Sequence, residues 1–178
     1  TLNEKLQHVL FSPIPQSWPL EAECDGLPVR LNMAYQVWFL GQSTSRLQHL
    51  ISRFLFPNQN VKTFLNTSQV LQKLADPAFI QASQITVLCD QLPLAAVYTI
   101  RQFVSKERQH ELDNYVCTWR HIKPGIDGND LRKKGISPGP IYKEILMQLK
   151  AARIDGIIKS EDDEYDYLSE LIRQANKS

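Results

Sequence analysis

Residues 126–156, IDGNDLRKKGISPGPIYKEILMQLKAARIDG, leave this chain few ways to fold, because each boundary in the stretch is marked by a residue with a strong backbone preference. Asp127, followed three residues on by Asp130, has the form of a capping box, which opens a short helix running to Lys134. Gly135 can take the positive φ that ends it. Ser137 is a second N-cap candidate, with Pro138 at the first helical position, where a missing N–H costs nothing. Ile141, Ile145, Leu149 and Ala152 then recur at helical spacing on one apolar face, and Asp155-Gly156 closes the long helix.

The same reasoning carries along the whole chain. Leu2, Leu6, Val9 and Leu10 predict a short amphipathic helix, stopped by prolines 13, 15 and 19, whose fixed φ makes 12–19 an extended strap. Helices are expected at 28–40, ended by Gly41; at 45–56, capped by Ser45; from Asn66 or Thr67 to 75; and briefly at 76–81. Ser83 is read as the cap of a helix at 84–90. The segment 93–104, apolar on nearly all sides, is placed at the centre of the core, and helices at 107–120 and, from a Ser160/Asp163 capping box, 160–176 follow. No run shows the period-two alternation of half-buried strands. The expected fold is all-α, a bundle of nine or ten mostly short helices: an N-terminal subdomain, 1–76, carrying the strap, with a C-terminal subdomain, 77–178, packed tightly on it.

With 178 residues, 43% of them hydrophobic and 22% charged, the chain can bury a sizeable core. Cys24, Cys89 and Cys117 are odd in number and far apart, which suits reduced thiols in a cytoplasmic protein rather than a disulfide framework or zinc ribbon. No apolar run is long enough to span a membrane. The four histidines have neither each other nor a cysteine at ligand spacing, so no metal site is expected. Nor is any catalytic residue: nucleotidyl transfer needs a D-x-D on a strand beside a Gly-rich turn, and acyl transfer a nucleophile elbow, and the chain has neither. Its aspartates fall at caps, turns and helix starts, where acids are favoured.

The pattern G-x-D-L (Gly128, Asp130, Leu131), Gly135 with P-G-P (138–140), I-L-x-x-L (Ile145, Leu146, Leu149) and A-x-x-D-G (Ala152, Asp155, Gly156) resembles the C-terminal region of bacterial tRNA nucleotidyltransferases and poly(A) polymerases. WRHIKP, Trp119 to Pro124, extends the likeness and is most similar to cyanobacterial-type members. The family usually has Thr or Ser where this chain has Asp127, an equally good cap. The resemblance implies an RNA-binding body and tail that hold a tRNA or RNA hairpin. It also implies a catalytic head, upstream of this sequence, which brings Mg²⁺ and nucleoside triphosphates; no cofactor is expected in the chain itself.

The net charge is only +1, but nine basic residues against four acids lie between Arg120 and Lys159. Lys143, Lys150 and Arg153 fall away from the apolar face of the long helix as a basic stripe, and Arg132, Lys133 and Lys134 precede it, with Arg120 and Lys123 upstream. These eight are the candidate RNA contacts, suited to phosphates and hence to salt-sensitive, sequence-independent affinity. Gly139 and Ile141 supply amides for a possible phosphate site at the helix start. A solvated helix face accounts for the same cations. Tyr98 and Trp119 read as core, while Tyr142 stays open as a stacking platform. A second class of function is a protein-interaction or dimerisation module without nucleic-acid binding, presenting Trp18, Trp38 and Phe39; the oligomeric state is open.

Overall fold

In a computed structural model the described residues are 1–42, 46, 49–50, 53, 56–76, 81–136 and 139–175. Among them the fold is all-α, with nine α-helices, one 3-10 turn and a two-stranded ladder. The helices are α1 (Leu2–Phe11), α2 (Val29–Leu40), α3 (Asn58–Leu74), α4 (Ala82–Cys89), α5 (Leu94–Arg101), α6 (Lys106–Cys117), α7 (Gly128–Lys133), α8 (Pro140–Ile154) and α9 (Glu161–Ala175). The helices expected at 45–56 and 76–81, and the roles given to Ser45, Pro77, Ser137 and Pro138, fall on residues wholly or largely outside those described.

Among the described residues two large apolar clusters organise the helices, beside a small aromatic one built on Phe39 and Phe64. The larger is centred on α5, whose residues from Ala95 to Ile100 are all buried, as a helix apolar on every side must be. It gathers α1 through Val9, α2 through Met33 and Val37, α3 through Val70 and Leu74, and α6 through Leu112, Tyr115 and Val116, so it draws on both sides of residue 76. The smaller cluster starts at Ile126 and joins α7, α8 and α9 through Leu131, Ile145, Leu149, Ala152, Ile158 and Leu168.

Several sequence expectations are corrected. Trp18 and Phe39 are not exposed: the strap folds back so that Trp18, 3% exposed, meets Tyr98 edge-on at 5.0 Å and donates to the Asp113 carboxylate at 2.9 Å, while Phe39 packs on Phe64. The helix expected to begin at Asn66 or Thr67 begins at Asn58. Its buried stripe there is mostly polar (Asn60, Thr63 and Thr67 around Phe64), which hides it from a search for apolar periodicity. Thr67 sits inside the helix and donates to the Thr63 carbonyl at 2.6 Å. Ser83 lies within α4, whose cap position is Gln81. A short antiparallel ladder, Glu23–Cys24 against Leu27–Pro28, turns at Asp25-Gly26, both with positive φ, the pairing that a D-G dipeptide favours.

Candidate nucleic-acid interface

The α7–α8 unit is built as its sequence spells it. Asp127 accepts from the amides of Asn129 and Asp130 at 2.7 and 3.1 Å, and Asp130 accepts from the Asp127 amide at 3.2 Å, completing a capping box. Gly135, at φ +80°, ends α7, and the Ile136 amide bonds the Leu131 carbonyl, capping the carbonyl end. α8 starts at Pro140, two residues later than the expected start at Pro138; a proline at the first position needs no amide partner. Gly156, at φ +73°, releases the chain, and Asp155 accepts from the Ser83 amide and hydroxyl at 2.9 and 2.6 Å, tying the end of α8 to the start of α4. Tyr142 donates to the Ile136 carbonyl at 2.8 Å and lies over Gly128, so its ring is a packing element of the turn.

The eight candidate cations divide into two groups. Lys123, Arg132, Lys134 and Lys143 are exposed and hold no ion pair among the described residues; Lys134 reaches the Tyr165 ring at 5.8 Å. Lys133 is also exposed, but pairs with Asp130 at 3.0 Å, and each holds the other charged: Lys133 is pushed up and Asp130 down from their usual ranges. Lys150 is half-buried and pairs with Asp90 at 3.1 Å. Arg120 is half-buried beside Asp90 and Tyr115 in a cleft of about 560 Å³, and its Nη1 is buried without a partner.

Arg153 does not continue the stripe of Lys143 and Lys150. Ten residues on from Lys143, at 100° per residue, it sits some 80° round the helix. There it turns towards α9 and bonds the carboxylate of Glu164, which is only 1% exposed and also accepts from the Gly125 amide. The first turn of α9 is otherwise acidic and exposed, with Asp163 held low by the amides of Lys159 and Ser160 and by the Ser160 hydroxyl in the expected capping box. Burial of Glu164 and the two-sided role of Asp90 had no signal in the sequence, where both read as ordinary helix-end acids.

Gly139 and Ile141 stand exposed at the start of α8. Between α8 and α4 runs a groove of about 300 Å³ walled by Val87, Met147, Ala151 and Ile154, with Lys143 and Lys150 on its rim. Among the described residues no three His, Cys, Asp or Glu side chains are grouped to take a metal ion. The buried thiols of Cys24 and Cys89 are pushed up to about 11 and about 12 by loss of solvation, which keeps both protonated.

No protein-family model matches the chain. An A-adding tRNA nucleotidyltransferase of Geobacter sulfurreducens is 36% identical over 72 residues, which is 40% of this chain and 8% of the relative. Another, of Halalkalibacterium halodurans, is 29% identical over 66 residues, 37% of this chain and 16% of the relative. Over these stretches the chain is similar to part of two A-adding tRNA nucleotidyltransferases. The tRNA nucleotidyltransferase likeness extends to the fold: a CCA-adding enzyme solved in complex with CTP superposes with a TM-score of 0.68 over 96% of the chain, at 17% identity. The chain spans 41% of that enzyme and a far smaller share of the two sequence relatives. The finer, cyanobacterial placement rests on the WRHIKP resemblance alone.

Proposed function

We propose that this chain is an RNA-holding helical domain of a tRNA nucleotidyltransferase, CCA-adding or A-adding, or of a related poly(A) polymerase. A separate catalytic head takes Mg²⁺ and nucleoside triphosphate and carries out the transfer. The observation that carries this reading is the 72-residue likeness to an A-adding tRNA nucleotidyltransferase in a chain whose motif region bears four exposed cations without an ion pair among the described residues. The partner is tRNA or an RNA hairpin, gripped through its shape and phosphates, as double-stranded RNA is generally recognised. Lys123, Arg132, Lys134 and Lys143 are the contacts that cost nothing in folding to redirect towards RNA; Lys133, Lys150 and Arg120 are reached after rearrangement. Arg153 serves the fold first. No described helix is long and apolar enough to cross a membrane, and the free, widely separated cysteines are the ground for placing the chain in a reducing cytoplasm.

Filter binding of a tRNA transcript across a salt series tests the reading. The parent chain binds with log K falling linearly in log salt, and an Arg132→Glu, Lys134→Glu, Lys143→Glu variant loses about tenfold or more in affinity at low salt, with a shallower slope. Equal binding by parent and variant overturns the assignment. The protein-interaction reading retains one observation, the exposure of Val87 (48%) and Met147 (51%) along the α4–α8 groove. Salt-indifferent self-association of the chain, seen by sedimentation in the absence of RNA, would favour it.

A further inference from the structure

Asp90, the residue that ends α4, uses its two carboxylate oxygens in opposite directions. Oδ1 accepts from the Tyr115 hydroxyl at 3.0 Å, and Oδ2 accepts from the Lys150 ammonium at 3.1 Å. The side chain is 41% exposed and walls two clefts at once: the groove that holds Lys143 and Lys150, and the larger cleft that holds Tyr115 and Arg120. One accessible carboxylate thus bonds a lysine and a phenol that burial keeps protonated, and the clefts it walls also hold Lys143 and the Arg120 guanidinium with its buried, unpartnered nitrogen. That set of donors is what a phosphate group takes, and the position between them is filled by an anion of the chain's own.

We propose that Asp90 is an internal competitor for RNA phosphate, keeping Lys150 largely paired away from the RNA backbone, and so sets the affinity and salt sensitivity of the α4–α8 surface. The proposal rests on the RNA-holding reading and deepens it by naming the group that tunes it. The physical grounds are two. An ion pair this exposed is weak enough to exchange for another anion, and an uncompensated carboxylate left beside an incoming phosphate opposes it. A purely structural role at this position needs only an acceptor for Tyr115, which asparagine also supplies.

The test is Asp90→Asn, which preserves shape and the acceptor but removes the charge. Expected is tRNA binding about fivefold tighter or better at low salt, with the log–log salt slope steeper by roughly 0.7–0.9, the release expected for one more phosphate contact. Lys150→Met weakens binding modestly in the parent and cancels most of the gain in the Asp90→Asn background. Glu144→Gln, which removes an exposed acid of α8 that lines an adjoining hollow with Lys143 and not the groove of Asp90 and Lys150, shows no such coupling to Lys150. Thermal melting of each variant confirms that the fold is intact. If folded Asp90→Asn binds within twofold of a parent that does bind, or if its gain survives Lys150→Met, the Asp90 proposal falls and the RNA reading stands. If neither parent nor Asp90→Asn binds tRNA at low salt, both fall.

Discussion

The cluster around α5 and the cluster around α8 are assembled from helices of similar length but are fastened by different forces. The first buries aromatic and aliphatic side chains from six helices and bonds several interior polar groups to nearby carbonyls: Asn32 donates to that of Cys24 at 3.0 Å, and Thr86 and Thr99 each to one a turn back at 2.9 Å. It also has a carboxylate clasp, Asp113 on Arg101 and Trp18. The second has seven buried apolar residues and closes its edges with carboxylates: Asp127 at the cap of α7, Asp155 on Ser83, and Glu164 on Gly125 and Arg153. A small core stabilises less through burial, so charged clasps matter more there. The same economy explains which cations remain free, since those recruited as clasps no longer face solvent unpaired.

The largest effect belongs to the larger cluster. Tyr98 is 2% exposed and touches Trp18 edge-on, so Tyr98→Ala leaves a cavity at the centre of the molecule and costs about 3–5 kcal/mol in urea unfolding. A cost below about 1 kcal/mol would mean that α5 is not the centre of the core.

Next comes the clasp of the smaller cluster. Glu164→Ala leaves Arg153 and the Gly125 amide without their acceptor and costs about 2–3 kcal/mol, short of a fully buried pair because Arg153 keeps some solvent contact. The three tryptophans, Trp18 in the strap, Trp38 in α2 and Trp119 in the 3-10 turn, pack in clusters other than that of α7–α9. In this variant the far-ultraviolet dichroism transition therefore begins at lower urea than the tryptophan fluorescence transition. Coincident transitions would show that the two clusters unfold as one unit and would erase the distinction drawn between them. A third, smaller loss follows from Asp127→Ala, which removes the acceptor of two helix-start amides and costs about 1 kcal/mol, seen as a modest drop in melting temperature.

The smaller cluster is also the region whose sequence is easiest to read. Its caps, its glycine at positive φ and its apolar spacing are local signals, and local signals survive in a linear text: Asp127, Gly135, Ser160 and Asp163 all do what their neighbours imply. The larger cluster hides more. The start of α3 is concealed because Asn60, Thr63 and Thr67 occupy buried positions that hydrophobic patterning reserves for apolar residues. The fate of Trp18 depends on Asp113, far along the chain. The candidate site has both characters. That Lys143 is exposed follows from the helical wheel, but that Lys150 and Arg153 are already engaged depends on Asp90 and Glu164, contacts between distant segments that no spacing encodes.

The smallest effect is a pH dependence confined to the larger cluster. Asp113 accepts two hydrogen bonds from the Arg101 guanidinium, both at 2.8 Å, and one from the Trp18 indole. Burial pushes its carboxyl up, but the bonds from Arg101 and Trp18 outweigh that and hold it below the usual range. A folded-state value below the unfolded one means that protonation favours unfolding. The contribution is therefore fully present above about pH 5 and is lost as the pH falls through the folded value. Because roughly a third of the side chain still meets solvent, screening keeps the contribution under about 1 kcal/mol. Asp113→Asn should accordingly narrow the stability gap to the parent as the solution is acidified, with the curves meeting below about pH 3. Trp18 fluorescence reads the contact directly. A gap that stays constant across this range would mean that the ionised form of Asp113 adds nothing to the strap, and that the Trp18 packing alone holds it to α5 and α6.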